Sequence, residues 1–431
     1  AEMTGQRFDG DAALNAGKFQ NGLVPLGSVA HGGSNLFEFD QRAIEILRST
    51  LDLAKSNYTD DQPELANSYY YLARATGGCA RKWDEGISLM RQSIALRRKI
   101  HGDRSPEVAL NYNFLGYMLN NIGQHDSAIA YLDRALSIRR EKSATDDIEL
   151  SHVLFNLASA HEKKGALSKS LELHLESLRI RQGRLGDEHA TVSNSVTAIG
   201  AVYQRFGNYD RALDFYQKGL ETRIKTLGPD HNNVAASYYT IGNLYSGMFN
   251  YHQALQYFQQ GNRILSMNSG GANDILATYL AYTGRLYAKI GDHPSAVQYL
   301  KDAQAMAEKV LKKDHPYLAI VYNIAGDYYS DLQDLSKANG YYSKAISIYR
   351  IAYGAASVRE GDVYSKLGQT YAASGDYDKA LATYNQALAI FDAKMGTRNV
   401  KSASTHHAAG IALTHQKRFP DALESYRKAF A

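Results

Sequence analysis

Residues 196–231 read VTAIGAVYQRFGNYDRALDFYQKGLETRIKTLGPDH. In the first half, Val196, Ile199, Gly200 and Tyr203 recur at intervals of three and four; in the second, Ala212, Tyr216 and Gly219 do the same. These intervals put side chains on one face of a helix, whereas a strand would alternate with period two. Gly207 stands between the two runs, where a glycine takes positive φ and ends the first helix cheaply. After the second run, Leu227-Gly228-Pro229-Asp230-His231 supplies a helix stop and a capping residue for whatever follows. The stretch predicts two helices, a tight turn between them and a capped link to the next pair.

The same pattern returns every 42 residues. Its first small position falls at Gly116, Ala158, Gly200, Gly242, Gly284, Gly326, Gly368 and Gly410, eight registers without an insertion. Twelve residues later stands Ala128, Ser170, Ala212, Ala254, Ala296, Ala338, Ala380 or Ala422, and four after that Leu132, His174, Tyr216, Phe258, Leu300, Tyr342, Tyr384 or Tyr426. Small residues let paired helices approach, and the large ones fill the space between them. Gly123, Gly165, Gly291 and Gly375 mark the same turn as Gly207, while Pro294 and Pro420 fit the first turn of a second helix. The links at His101–Pro106, Leu185–His189 and Lys313–Pro316 repeat the stop-and-cap chemistry, so their histidines need no catalytic role.

Counting outward, Glu64 to Ile100 forms an earlier repeat with one residue inserted near Gly77-Gly78-Cys79. The predicted organisation is an irregular segment or cap over 1–37 and a single array over 38–431. It holds a partial repeat at 38–57 and nine repeats starting near 64, 109, 151, 193, 235, 277, 319, 361 and 403. No room remains for an independent catalytic domain. The other exclusions are compositional: 7 prolines, one cysteine and no apolar run near 18 residues argue against collagen-like, disulfide-stapled and membrane-spanning chains. Net charge is +4 with the signs interspersed, which calls for no nucleic-acid partner. Nothing from Ala1 onward reads as a targeting peptide, and a cytoplasmic setting is the expectation. The last helix reaches Ala431 with no polar cap, which points to a portion of a larger protein or an end that meets a partner.

The small-residue, aromatic and alanine pattern resembles the tetratricopeptide repeat, and Val196, Ile199, Gly200, Tyr203, Ala212, Tyr216 and Gly219 carry most of its motif. The long period and the Leu227–His231 link are most similar to kinesin light chain. Similar arrays occur in bacterial regulatory and scaffold proteins, some with a caspase-like protease domain after the repeats. The resemblance implies an all-α, right-handed superhelical solenoid of antiparallel helix pairs. In this class the first helix of each pair lines a concave groove, where matching motif positions place Asn113, Tyr117, Asn120, Lys163, Arg205, Tyr239, Asn243, Arg285, Asn323, Asp327 and Gln369. Amides there would bond a peptide backbone, and Arg or Lys would pair with acidic groups.

The functional expectation is a non-catalytic scaffold that binds a protein or extended peptide, without cofactor or metal. Two alternatives stay open: a regulatory or sensor module for a downstream effector enzyme domain outside this chain, and self-assembly through an exposed end. Oligomeric state is not fixed by the sequence. Most of the 32 tyrosines fall at packing positions, with Tyr117 and Tyr239 the better surface candidates. Cys79 has no indicated base to activate it, and His407 and His415 lie eight residues apart, too far to share one ion unaided. Charged runs such as Arg97-Arg98-Lys99 are expected to solvate the outside of second helices. Ser269-Gly270-Gly271, where the capped link is lost, is expected to be a softer joint.

Overall fold

The computed structural model describes residues 34–430 except 80–81, 143–146, 269–273, 312, 355 and 398. The expected soft joint at Ser269–Gly271 and most of the expected N-terminal cap lie outside the described residues. Among the described residues every regular element is helical. A leading helix, α1 (Ser34–Asn57), is followed by nine pairs: α2 (Pro63–Arg74) with α3 (Trp83–His101), α4 (Pro106–Asn121) with α5 (His125–Lys142), α6 (Ile148–Lys163) with α7 (Leu167–Leu185), and α8 (Ala190–Arg205) with α9 (Tyr209–Leu227). The remaining pairs are α10 (Asn232–Gly247) with α11 (Tyr251–Asn268), α12 (Asp274–Lys289) with α13 (His293–Val310), α14 (Pro316–Asp331) with α15 (Leu335–Tyr353), α16 (Val358–Ala373) with α17 (Tyr377–Met395), and α18 (Val400–His415) with α19 (Phe419–Phe430). Helix α1 begins at Ser34, inside the stretch expected to be irregular, and packs Ile44, Leu51 and Ala54 against Leu65 and Leu72. The inserted residue of the first repeat is absorbed by a π-helical turn, Ala75–Cys79, that prolongs α2.

Helix ends follow the link chemistry with one addition. Gly102, Gly186 and Gly228 close second helices at φ of 83°, 78° and 85°, and Ser105 accepts from the Val108 amide at the start of α4. At α8, α10 and α14, however, the cap is the histidine itself: its Nδ1 accepts from Thr191, Asn233 and Tyr317 amides at 3.2, 3.0 and 3.3 Å. The turn between paired helices keeps its left-handed residue even without glycine. Phe249, Gln333 and Lys417 sit there at φ of 59°, 60° and 60°.

Pairs are held by one recurring contact. At the first small position the second helix lays its large side chain directly on the glycine backbone: a Cβ on Gly200 would lie 2.7 Å from the Tyr216 ring, and one on Gly326 would lie 2.6 Å from the Tyr342 ring. The third repeat has Ala158 at this position, and opposite it the smaller His174. That imidazole is fully buried, edge-on to Phe155 at 4.9 Å, and neither ring nitrogen has a hydrogen-bond partner. Burial, with the Arg181 charge second, pushes its pKa from 6.5 down to about 3.

Two alanine substitutions are therefore expected to act with opposite sign. Gly326→Ala collides with Tyr342 and should cost roughly 1–3 kcal/mol, whereas Gly340→Ala, mid-helix in α15 with open space around it, should gain about 0.5–1 kcal/mol. Thermal melts of the two variants check this. For His174, the unfolded chain takes up a proton below about pH 6.5 that the folded chain refuses. Its contribution is intact above that pH and declines as pH falls toward 3, by roughly 1.4 kcal/mol per pH unit. Hydrogen exchange in α6 and α7 at pH 7 and 5 should show the parent losing about 2 kcal/mol more than His174→Leu.

Candidate functional site: the inner polar face

Three pairs of neighbouring first helices pack on one another, α4 with α6, α16 with α18 and, most extensively, α12 with α14, whereas no two second helices pack to that extent. The first helices therefore form the inner, shorter layer of the curve. Polar side chains tie this layer together from repeat to repeat. Asn156 of α6 donates to Asn113 of α4 at 2.9 Å, Arg205 of α8 binds the Glu162 carbonyl of α6, and Lys401 of α18 pairs with Asp362 of α16. Helix α14 is gripped from both sides. Lys289 of α12 reaches Asp331 at 2.8 Å, and Lys366 of α16 binds both oxygens of Asp327 at 2.7 and 2.8 Å and Asn323 at 3.1 Å.

Around this double grip lies a cavity of about 410 Å³, lined from α10 to α16 by residues including Ser246, Tyr251, Arg285, Lys289, Asp327, Lys366 and Gln369. Tyr342 enters it from behind. Its ring passes beneath Gly326 and its hydroxyl donates to Asp327 at 2.9 Å, so a packing residue of the second helix delivers a polar group to the inner face. Burial first, then the Asp327 charge, raises its phenol well above the ordinary value. Tyr216 does the same three repeats earlier, donating to Gln204 at 2.8 Å. A second hollow of about 480 Å³ is built from α3 and the end of α4 and includes none of the expected groove residues.

Of those residues, Arg285, Asp327 and Gln369 converge on the 410 Å³ cavity, with Asn323 bound to the same Lys366. Lys163 and Asn243 are exposed, and Arg205 is exposed while bound to Glu162. Asn120 is half-buried with Oδ1 2.7 Å from His125, and Tyr117 is half-buried beside Trp83 and Phe114 at 6.3 and 5.6 Å between ring centres. Asn113 is 8% exposed and is turned toward Asn156. Tyr239 is not a surface residue. It is 1% exposed, stacked on Tyr279 at 3.3 Å, and its hydroxyl donates to Asn262 at 2.6 Å. Gly261 on the second helix opens the space into which that ring falls.

Two features escaped the sequence reading. Lys366 stands one position away from the motif's inward set, and only the geometry shows it crossing to α14. The other is a column of arginines, Arg97, Arg139, Arg181 and Arg223, spaced by the same 42 residues. Arg97 therefore does not solvate the outside: it is 6% exposed and bonds Asn67, Asn111 and the Glu107 carbonyl over the Tyr70 ring. Arg181 bonds Ser151, Ser195 and the Thr191 carbonyl, and Arg223 bonds Asn194 and Ser237. The acceptors of Arg97, Arg181 and Arg223 are all neutral, whereas Arg139 faces Asp147 at 3.6 Å, and burial pushes the Arg181 and Arg223 pKa values down to about 10. The register of the repeat was the signal that would have found them.

A tetratricopeptide-repeat profile matches residues 79–141, 107–183, 147–225, 189–267, 274–351 and 359–431. The chain belongs to the tetratricopeptide-repeat family. Among curated relatives, a clustered mitochondria protein homolog from Kluyveromyces lactis is 30% identical over 91 residues, 21% of this chain and 7% of that protein. Tetratricopeptide repeat protein 19, mitochondrial, from Mus musculus is 26% identical over 122 residues, 27% of this chain and 33% of that one. The chain thus spans a third or less of the length of these relatives. Among solved structures, aspartyl phosphate phosphatase F of Bacillus subtilis superposes with a TM-score of 0.50 at 14% identity, covering 86% of this chain and 97% of that one. A putative kinesin light chain from Podospora anserina with nearly identical repeats gives 0.42 at 20% identity, covering 48% and 98%. At these identities the likeness concerns the fold alone.

Because the buried arginines bring charge without a counter-charge, shape should matter more than charge. Arg181→Ala is expected to cost about 3 kcal/mol, while Arg181→Met, which keeps the stem's volume, should cost under about 1 kcal/mol. Urea unfolding of both variants checks the difference.

Proposed function

We propose that the repeat array is a non-catalytic scaffold that holds an extended segment of another protein along the inner faces of its first helices. The observation that carries this reading is the convergence of Arg285, Asp327, Lys366 and Gln369 from three consecutive first helices on one open cavity. An isolated polar residue on a surface needs no ligand, but polar groups from several repeats converging on one concavity form a surface that can satisfy a peptide backbone. The 42-residue period and the Leu227–His231 link, both similar to kinesin light chain, accord with an adaptor of that kind, and a cytoplasmic setting is part of the same proposal.

Photocrosslinking can test the reading. A crosslinking amino acid at the exposed inner positions Asn243 and Gln369 is expected to label one partner at successive sites along a single segment, in the order of the repeats. The same group at Ile351, 64% exposed on a second helix, should label it weakly. Crosslinks confined to α18 and α19 would replace the groove reading with end-to-end assembly.

A further inference from the structure

Residues 231–273 hold a single side chain of the Asp, Glu, Lys and Arg types, Arg263, in a chain that is 21% charged. The fifth pair, α10 with α11, thus crosses the array as an almost uncharged band. Loss of Lys, Asp and Glu with aromatic residues, Met and Arg kept is the composition of a protein–protein contact, not of a solvated outer face. One repeat earlier the outer face keeps its charges: the exposed row along α9 is Arg211, Asp214, Lys218 and Glu221. The matching row on α11, 42 residues on, is Gln253, Gln256, Gln260 and Arg263, also exposed.

Apolar residues stand at both ends of that row. Phe249 precedes α11 with 79% of its surface exposed, and Met267 lies in its last turn at 57%. Phe249 also occupies the left-handed turn position at φ 59°, where a bulky side chain is strained, while five other repeats place glycine there. The turn itself gives no reason for a phenylalanine. Phe249, Gln253, Gln256, Gln260, Arg263 and Met267 follow one another by four and three residues, the spacing of a coiled-coil seam.

We propose that this seam is a self-association surface, on which α11 packs antiparallel against α11 of a second copy of the chain. The seam is its own complement when read backwards. Phe249 meets Met267 of the second copy, Gln253 meets Arg263 and Gln256 meets Gln260, each pairing occurring twice about a two-fold axis. A thioether against an aromatic ring is favourable. A primary amide carries both donors and acceptors, so glutamines satisfy one another, or a guanidinium, without a counter-charge. The axis that relates the helices in this way runs along the array and sets α9 against its own copy. There Arg211 falls opposite Glu221 and Asp214 opposite Lys218, unlike signs in both cases. Such flanking pairs fix register more than affinity. A parallel pairing would instead set Arg263 on itself. Helix α11 belongs to the outer layer, so the inner face stays free and the inference does not depend on the groove reading.

One helix seam with its flanks lies at the low end of specific interfaces, and a dissociation constant of about 1–100 µM is expected. Sedimentation velocity of the full chain over a concentration series should show a monomer–dimer equilibrium in that range. Phe249→Asp should weaken it at least about tenfold with the fold intact, because aspartate accepts a left-handed turn more readily than phenylalanine. Ile351→Asp, which removes an exposed apolar residue from another second helix, should leave the equilibrium unchanged, as should Phe430→Asp at the end of the array. Mixing Gln256→Cys with Gln260→Cys, both on a Cys79→Ser background, should give the mixed disulfide in preference to either self-disulfide. A monomer at every concentration, or association undiminished in Phe249→Asp, overturns the proposal. Association lost in Phe430→Asp but kept in Phe249→Asp moves the contact to the array end and overturns it equally, and self-disulfides formed as readily as the mixed one overturn the antiparallel seam.

Discussion

The fold depends on how closely the two helices of each repeat can approach. A large side chain from the second helix rests on bare glycine backbone of the first, at Gly200 under Tyr216, Gly242 under Phe258 and Gly368 under Tyr384. With this crossing set, the remaining apolar residues of each pair face the next pair, and stacking completes a core that no single pair encloses. The same contact reaches into function. Because tyrosine is longer than the gap it fills, its hydroxyl emerges on the inner layer, where Tyr342 bonds Asp327 and Tyr216 bonds Gln204. Where alanine replaces glycine, as at Ala158, the partner is a neutral buried histidine, and the cost appears as sensitivity to acid.

Adjacent pairs are joined differently in the two halves of the array. At the position of Arg97, Arg181 and Arg223, the later repeats place Leu265, Ala307, Tyr349 and Phe391, all buried. A guanidinium bonded to neutral oxygens and an apolar side chain fill the same interface, so the geometry tolerates either solution. The arginines gain hydrogen bonds but lose solvation, which is why such groups are weak contributors to net stability. On the inner face the ionic ties are more numerous in the later half, through Lys289, Lys366 and Lys401, with Arg205–Glu162 their counterpart in the earlier half.

The sequence made the architecture legible because backbone approach demands small residues at fixed intervals, and eight copies repeat the demand. Glycine stops were equally legible, since Gly186 and Gly228 adopt the φ that only glycine takes freely. The inner face was partly legible: the motif positions carried over from the resemblance included Arg285, Asp327 and Gln369, which the structure brings to one cavity. Tyr239 was misjudged because its direction depends on Gly261, a small residue on the opposing helix whose effect is felt only once the pair is assembled. Arg97 was misjudged because an arginine in a charged run reads as solvated, and the neutral acceptors that bury it come from residues 67 and 111, on other helices. Lys366 illustrates the same limit: a long flexible side chain reaches partners that its own register does not name.

Nearest-neighbour stacking of helix pairs can be measured in solution by small-angle X-ray scattering. A compact globule of this length would have a radius of gyration of about 22 Å. A stacked array predicts a clearly larger value, with an asymmetric pair-distance distribution drawn out to long distances. A symmetric distribution with a radius near the globular figure would contradict the stack and, with it, the inner face on which recognition is placed.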